Sequence, residues 1–96
     1  MAHYILLANW TEQGVKNIKD SPARVEAARQ MAKALGCTMG DFYMTAGSVD
    51  MVWTFEAPND EAVAKFCLSL AMKGNIRTTT LKAFSEAEFG KLVHAL

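Results

Sequence analysis

The stretch TMGDFYMTAGSVDMVWTFE, Thr38–Glu56, decides the fold. Thr38–Thr45 reads as a strand through Phe42, Tyr43 and Met44. Ala46-Gly47-Ser48-Val49 is a turn, and Asp50–Glu56 is the next strand. Met51, Trp53 and Phe55 alternate with Val52 and Thr54, the period of two that separates the faces of a sheet. Two strands joined by so short a turn form an antiparallel hairpin.

Helical periodicity flanks this hairpin on both sides. Upstream, Val25, Ala28, Met31, Ala32 and Leu35 share one helical face, with Ser21 as the expected N-cap and Pro22 where its missing N–H costs nothing. Gly36 is suited to the left-handed residue after the helix. Downstream, Val63, Phe66, Cys67, Leu70 and Ala71 repeat at helical spacing. Asn59 caps this helix, Asp60 and Glu61 lie near its positive dipole end, and Gly74 ends it.

Outside these helices lie two more strands. Tyr4–Trp10 is apolar at nearly every position, so both of its faces are expected to be covered. Thr11 caps a short helix through Val15 and Ile18, which breaks at Lys19-Asp20-Ser21-Pro22. Ile76–Ala83 carries the β-favouring run Thr78-Thr79-Thr80. Ser85-Glu86-Ala87-Glu88 is a capping box, and Phe89, Leu92, Val93 and Leu96 give a last helix with one apolar face.

The order β-α-β-β-α-β-α is a ferredoxin-like βαββαβ core with an extra C-terminal helix. The class is α+β, one domain over residues 1–96. Right-handed crossovers put both long helices on one face of a four-stranded antiparallel sheet. The other face is then bare, although strands one and three bring apolar residues to it. A bare apolar sheet of that size is a sticky patch. A second copy packing sheet against sheet covers it, so a homodimer is expected, with higher assembly left open.

Composition narrows the function classes. Ten basic residues balance ten acidic ones. Binding many phosphates calls for a basic excess, so nucleic acid is not an expected partner. No apolar run approaches the roughly 20 residues of a membrane span. Met1-Ala2-His3-Tyr4 lacks the basic start of a signal peptide. Cys37 and Cys67 form no CxxC pair, and two isolated thiols fit a reducing compartment, so a cytoplasmic location is expected. No metal site or cofactor is expected. His3 and His94 have no second ligand at zinc-like spacing and read as surface residues.

Several longer segments carry a resemblance. NWTEQGVKNIKDSPARVEAARQMAKALG (Asn9–Gly36), AGSVDMV (Ala46–Val52), EAPNDEAVAKF (Glu56–Phe66) and GNIRTTTLKAFSEAEF (Gly74–Phe89) resemble the bacterial GYD-domain proteins over essentially the whole chain. The family's Thr-x-x-Gly falls on Thr11 and Gly14. Its Asn-x-x-x-Ser-Pro-x-Arg falls on Asn17, Ser21, Pro22 and Arg24, and its late Gly-Asn-x-Arg-Thr on Gly74, Asn75, Arg77 and Thr78. The name motif Gly-x-Tyr-Asp reads Gly47-Ser48-Val49-Asp50, with Val49 in place of the tyrosine. The resemblance implies a dimeric α/β-barrel of the ferredoxin-like kind and leaves the activity open, since fold does not fix function.

Three functional readings follow. In the first, a dimeric small-molecule-binding or accessory module takes its polar groups from Tyr43, Asp50, Arg77 and Thr78. In the second, a cofactor-independent enzyme uses Asn9 with Trp53 as a monooxygenase, or Asp50 as an isomerase base. The analogy for Asn9 and Trp53 comes from other enzymes of this fold and requires that the two share a cavity. In the third, the chain is a structural association domain without a ligand. Each residue also has a plainer reading. Asp50 can bond backbone N–H groups at the turn. Arg24 and Arg77 can be surface cations. Trp10 and Trp53 can be core or interface anchors.

Overall fold

The computed structural model describes residues 1–96. In chain order it contains β1 (Ala2–Trp10), α1 (Glu12–Lys16), a 3-10 turn (Ile18–Asp20) and α2 (Ser21–Ala34). Then come β2 (Thr38–Met44), β3 (Met51–Ala57), α3 (Asp60–Met72), β4 (Ile76–Ala83) and α4 (Glu86–His94). The strands form one antiparallel sheet in the order β2-β3-β1-β4. This is the ferredoxin-like α+β layout with its additional C-terminal helix.

Local chemistry explains most boundaries. Thr11 Oγ1 accepts from Gly14 N at the start of α1, and Asn59 Oδ1 accepts from Ala62 N at the start of α3. Ser85 and Glu88 complete both halves of the capping box on α4. Gly36 takes φ +75°, where a Cβ would meet the adjacent carbonyl. Ser21 departs from expectation. The 3-10 turn runs straight into α2, so Ser21 is already helical and no extended residue remains to act as cap. Its Oγ accepts from Arg24 Nη2 instead.

Paired residues on neighbouring strands share a face. The register sets Tyr4 beside Phe55 and Leu6 beside Trp53, with Ala8 beside Met51. All six are buried. From the helices, Ala28, Ala32, Val63, Phe66 and Leu70 close over them. Phe66 stacks at a tilt on Phe55 with centroids 4.5 Å apart. The Tyr4 hydroxyl donates to Asp60 Oδ1 and so ties β1 to the start of α3. That bond, together with burial, pushes the Tyr4 phenol up to about 12.

β2 carries a bulge. Met39 faces Phe55 and Phe42 faces Trp53, so three residue steps on β2 match two on β3. The extra residue returns Phe42 to the helix side, where it stacks on Trp53 at 6.0 Å. No helix is long and apolar enough to cross a membrane.

The opposite face of the sheet has no cover. Ile5, Leu7, Val52 and Leu81 form its apolar centre. The apolar side of α4 is bare as well: Phe89 is 61% exposed and Leu92 52%. A compact chain of this length has a radius of gyration of about 12.5 Å. This chain has 14.3 Å and measures 49 × 31 × 17 Å.

Candidate functional site

The expected polar set does not converge. Tyr43 and Arg77 lie on the open face but on the two opposite edge strands, three strand spacings or about 14 Å apart. Thr78 follows Arg77 in the same strand and therefore points to the other face, beside Ala8. Asn9 and Trp53 also fall on opposite faces. Asn9 is an exposed open-face residue paired with Arg77, whereas Trp53 is 2% exposed on the helix side. The shared cavity that the Asn9–Trp53 reading requires is not formed.

Asp50 and Asn9 instead interlock the ends of β1 and β3. Trp10 N donates to Asp50 Oδ2 at 3.0 Å. Asp50 N donates to Asn9 Oδ1 at 3.0 Å and to Ala8 O at 3.1 Å. This clamp fixes where the two strands part. Val49, at the position of the family tyrosine, closes the adjoining turn through its carbonyl, which accepts from the Thr45 hydroxyl.

Part of the family resemblance does converge: Thr11, Gly14, Asn17, Ser21, Arg24, Gly74 and Asn75 meet from three separate segments. Thr11 N donates to Asn75 O at 3.0 Å, and Thr11 Oγ1 donates to Gly74 O at 2.5 Å. Gln13 Nε2 donates to Lys73 O and to Asn75 Oδ1, both at 3.0 Å. Gly14 lies so close that a Cβ there would sit 2.1 Å from Asn75 O, which explains a glycine inside a helix. Arg24 completes the knot from α2. It donates to Asn17 O at 3.0 Å, to Ser21 Oγ at 3.1 Å and to Gly14 O at 3.5 Å.

Beside this knot, between α2, the end of α3 and the sheet, lies a cavity of about 80 Å3. Trp10, Trp53, Phe42, Met39 and Ala28 contribute to its walls, and most of its lining is apolar. Arg24, Lys73, Ser21 and Asn75 are its polar lining residues. Neither Arg24 nor Lys73 forms an ion pair with a carboxylate. The Trp53 indole Nε1 is buried without a hydrogen-bond partner. Leaving such a donor unsatisfied costs about 1–3 kcal/mol, so it marks an unusual place in the core.

The remaining candidates lie outside this cavity. His3 pairs with Glu56 at 3.4 Å on the open face. Burial pushes the Cys37 thiol up, which favours the unreactive protonated form. Cys67 Sγ lies 3.4 Å from Thr80 Oγ1. No three His, Cys, Asp or Glu side chains are close enough together to hold a metal ion.

The cavity residues were only partly visible in the sequence. Arg24 and Trp53 stand out by type. Lys73, Asn75 and Phe42 do not, because their convergence depends on the β2 bulge and on the turn after α3.

Comparison with known proteins bears on the family and the fold. A relative from Thermus thermophilus, named glutamine synthetase and cystathionine beta-lyase binding protein, is 29% identical over 89 residues. The match spans 92% of this chain and 94% of the relative. The crystal structure of MtbAldR superposes with a TM-score of 0.69 at 16% identity over 88% of this chain, a likeness of fold. The chain spans about half (52%) of that protein's length. The family model for the GYD domain matches residues 4–93, the span that holds the sheet, the knot and the cavity, and the chain belongs to the GYD-domain family.

Proposed function

We propose that this chain is a homodimeric accessory module: two copies close their open sheet faces on each other, and the pair binds metabolic enzymes. The observation that carries the reading is the uncovered apolar face built from Ile5, Leu7, Val52 and Leu81. Four strands of about seven residues present roughly 19 by 23 Å. With the apolar side of α4 added from each copy, the contact reaches the order of 1,000 Å2 in total, where specific interfaces begin. α4 stands off its own core, and Phe89, Leu92, Val93 and Leu96 share its apolar side, which suits an arm laid on a partner copy. Zero net charge does little to oppose such pairing.

The enzyme-binding half rests on the relative, whose name gives glutamine synthetase and cystathionine beta-lyase as its targets. Direct binding tests it. Purified glutamine synthetase and cystathionine beta-lyase from the chain's own source are titrated with the wild-type protein and with Leu7→Glu, which loads the sheet face with charge. Saturable binding of either enzyme, weakened at least tenfold by Leu7→Glu, is the expected result. No binding to either enzyme by a dimeric wild type would leave a self-associating domain and remove the accessory role.

A further inference from the structure

We propose that the cavity between α2, the end of α3 and the sheet binds a small organic carboxylate, its apolar body inside and its charge at Arg24 and Lys73. The site lies on the helix side of the sheet, away from the proposed copy-to-copy face, so it stands or falls independently of dimerisation.

Size sets the first limit. A water needs about 10–15 Å3 of such space, so 80 Å3 holds roughly five to eight waters, or the body of a five- or six-carbon acid. The walls set the polarity. Trp10, Trp53, Phe42, Met39 and Ala28 offer contact to hydrocarbon and little to a sugar or a polyol.

The charge follows from the cations. Lys73 and Arg24 both line the cavity, and neither is neutralised by an Asp or Glu. Arg24 is also held in place: its bonds to Asn17 O, Gly14 O and Ser21 Oγ use three of the five guanidinium N–H donors. The other two N–H donors, on Nε and Nη1, make no hydrogen bond within the chain. A side chain fixed in advance loses little freedom when a ligand arrives. The buried Trp53 N–H gives the same wall a donor that lacks an acceptor.

Both of the chain's tryptophans line this cavity, so intrinsic fluorescence reports on it directly. Hexanoate and benzoate are titrated into the purified full chain, with hexanamide and benzyl alcohol as neutral counterparts. The expected result is a saturable change in tryptophan emission with one or both acids. A dissociation constant of about 0.1–1 mM suits ligands of eight or nine non-hydrogen atoms. The neutral counterparts should bind at least tenfold more weakly, the loss expected for a charge-assisted hydrogen bond.

Lys73→Met, at an exposed position, should weaken acid binding about fivefold or more and leave the fold unchanged by circular dichroism. Arg24→Gln should weaken it further. Ala28→Leu should fill the cavity and abolish the response. Absence of a saturable response to either acid up to about 10 mM would overturn the proposal. So would equal affinity for acid and neutral counterpart, or acid binding unchanged in both Lys73→Met and Arg24→Gln.

Discussion

The two faces of β1 both carry large aliphatic side chains and sit in very different environments. Tyr4, Leu6 and Ala8 are sealed under α2 and α3, with Leu6 at 0% exposure. Ile5 and Leu7 alternate with them and have only the thin, half-open sheet surface around them. A chain this small has enough helix to cover one face of a four-stranded sheet. The second face keeps an apolar centre of Ile5, Leu7, Val52 and Leu81 inside a polar border of His3, Asn9, Glu56 and Arg77, the pattern of a surface that a partner covers. The first face is a folding surface, the second is the association surface of the proposed homodimer, and substitutions on the two should have different consequences.

The largest effect is expected on the folding side. Phe66 is fully buried against Phe55, and Phe66→Ala should cost about 3–5 kcal/mol in chemical denaturation. A loss below about 1 kcal/mol would mean the helix side is not the core described here. Gly14→Ala should come next, at about 1–3 kcal/mol, because the new methyl meets the Asn75 carbonyl at 2.1 Å and the Thr11–Asn75 contact must open. Unchanged thermal stability in that variant would show that the knot yields easily.

On the association side the effect is one of concentration. The wild-type melting temperature should rise with protein concentration, because dimerisation stabilises by mass action. Val52→Glu should melt at a lower temperature that no longer depends on concentration. A concentration-independent wild type would erase the distinction between the faces.

The smallest effect concerns the bond that pins β1 to α3. Tyr4→Phe removes the donor to Asp60 and should cost about 0.5–1.5 kcal/mol at neutral pH. The fold raises the Tyr4 pKa from 10.0 to about 12, so it favours the protonated phenol. That contribution is complete below pH 10 and is lost as pH rises toward 12. The stability gap between wild type and Tyr4→Phe, followed by denaturation from pH 8 to 12, should therefore shrink across that interval. A constant gap would remove the hydroxyl–carboxylate bond from the account.

Most of the fold is legible in the sequence, because its signals are local. The turn at Ala46–Val49, the Asn59 cap, the Ser85–Glu88 box and the helical faces each reside in fewer than fifteen consecutive residues. Ser21 is a local misreading: its type suits a cap, but the preceding 3-10 turn leaves no extended residue there. The candidate site is far less legible. That Arg77 and Thr78 point opposite ways follows from strand alternation alone. That Asn9 and Trp53 are separated by the sheet follows only from the β1–β3 register, which joins segments 40 residues apart and is not set by any turn. The cavity depends on the β2 bulge, on Gly14 meeting Asn75, and on Arg24 reaching back to Asn17, none of which has a periodic signature.

Sedimentation equilibrium of the wild-type chain over the micromolar range tests the central claim most directly. A single species at twice the 10.5 kDa chain mass, dissociating only on dilution, is expected. A monodisperse monomer at tens of micromolar would contradict it, leaving Ile5, Leu7, Val52 and Leu81 facing water.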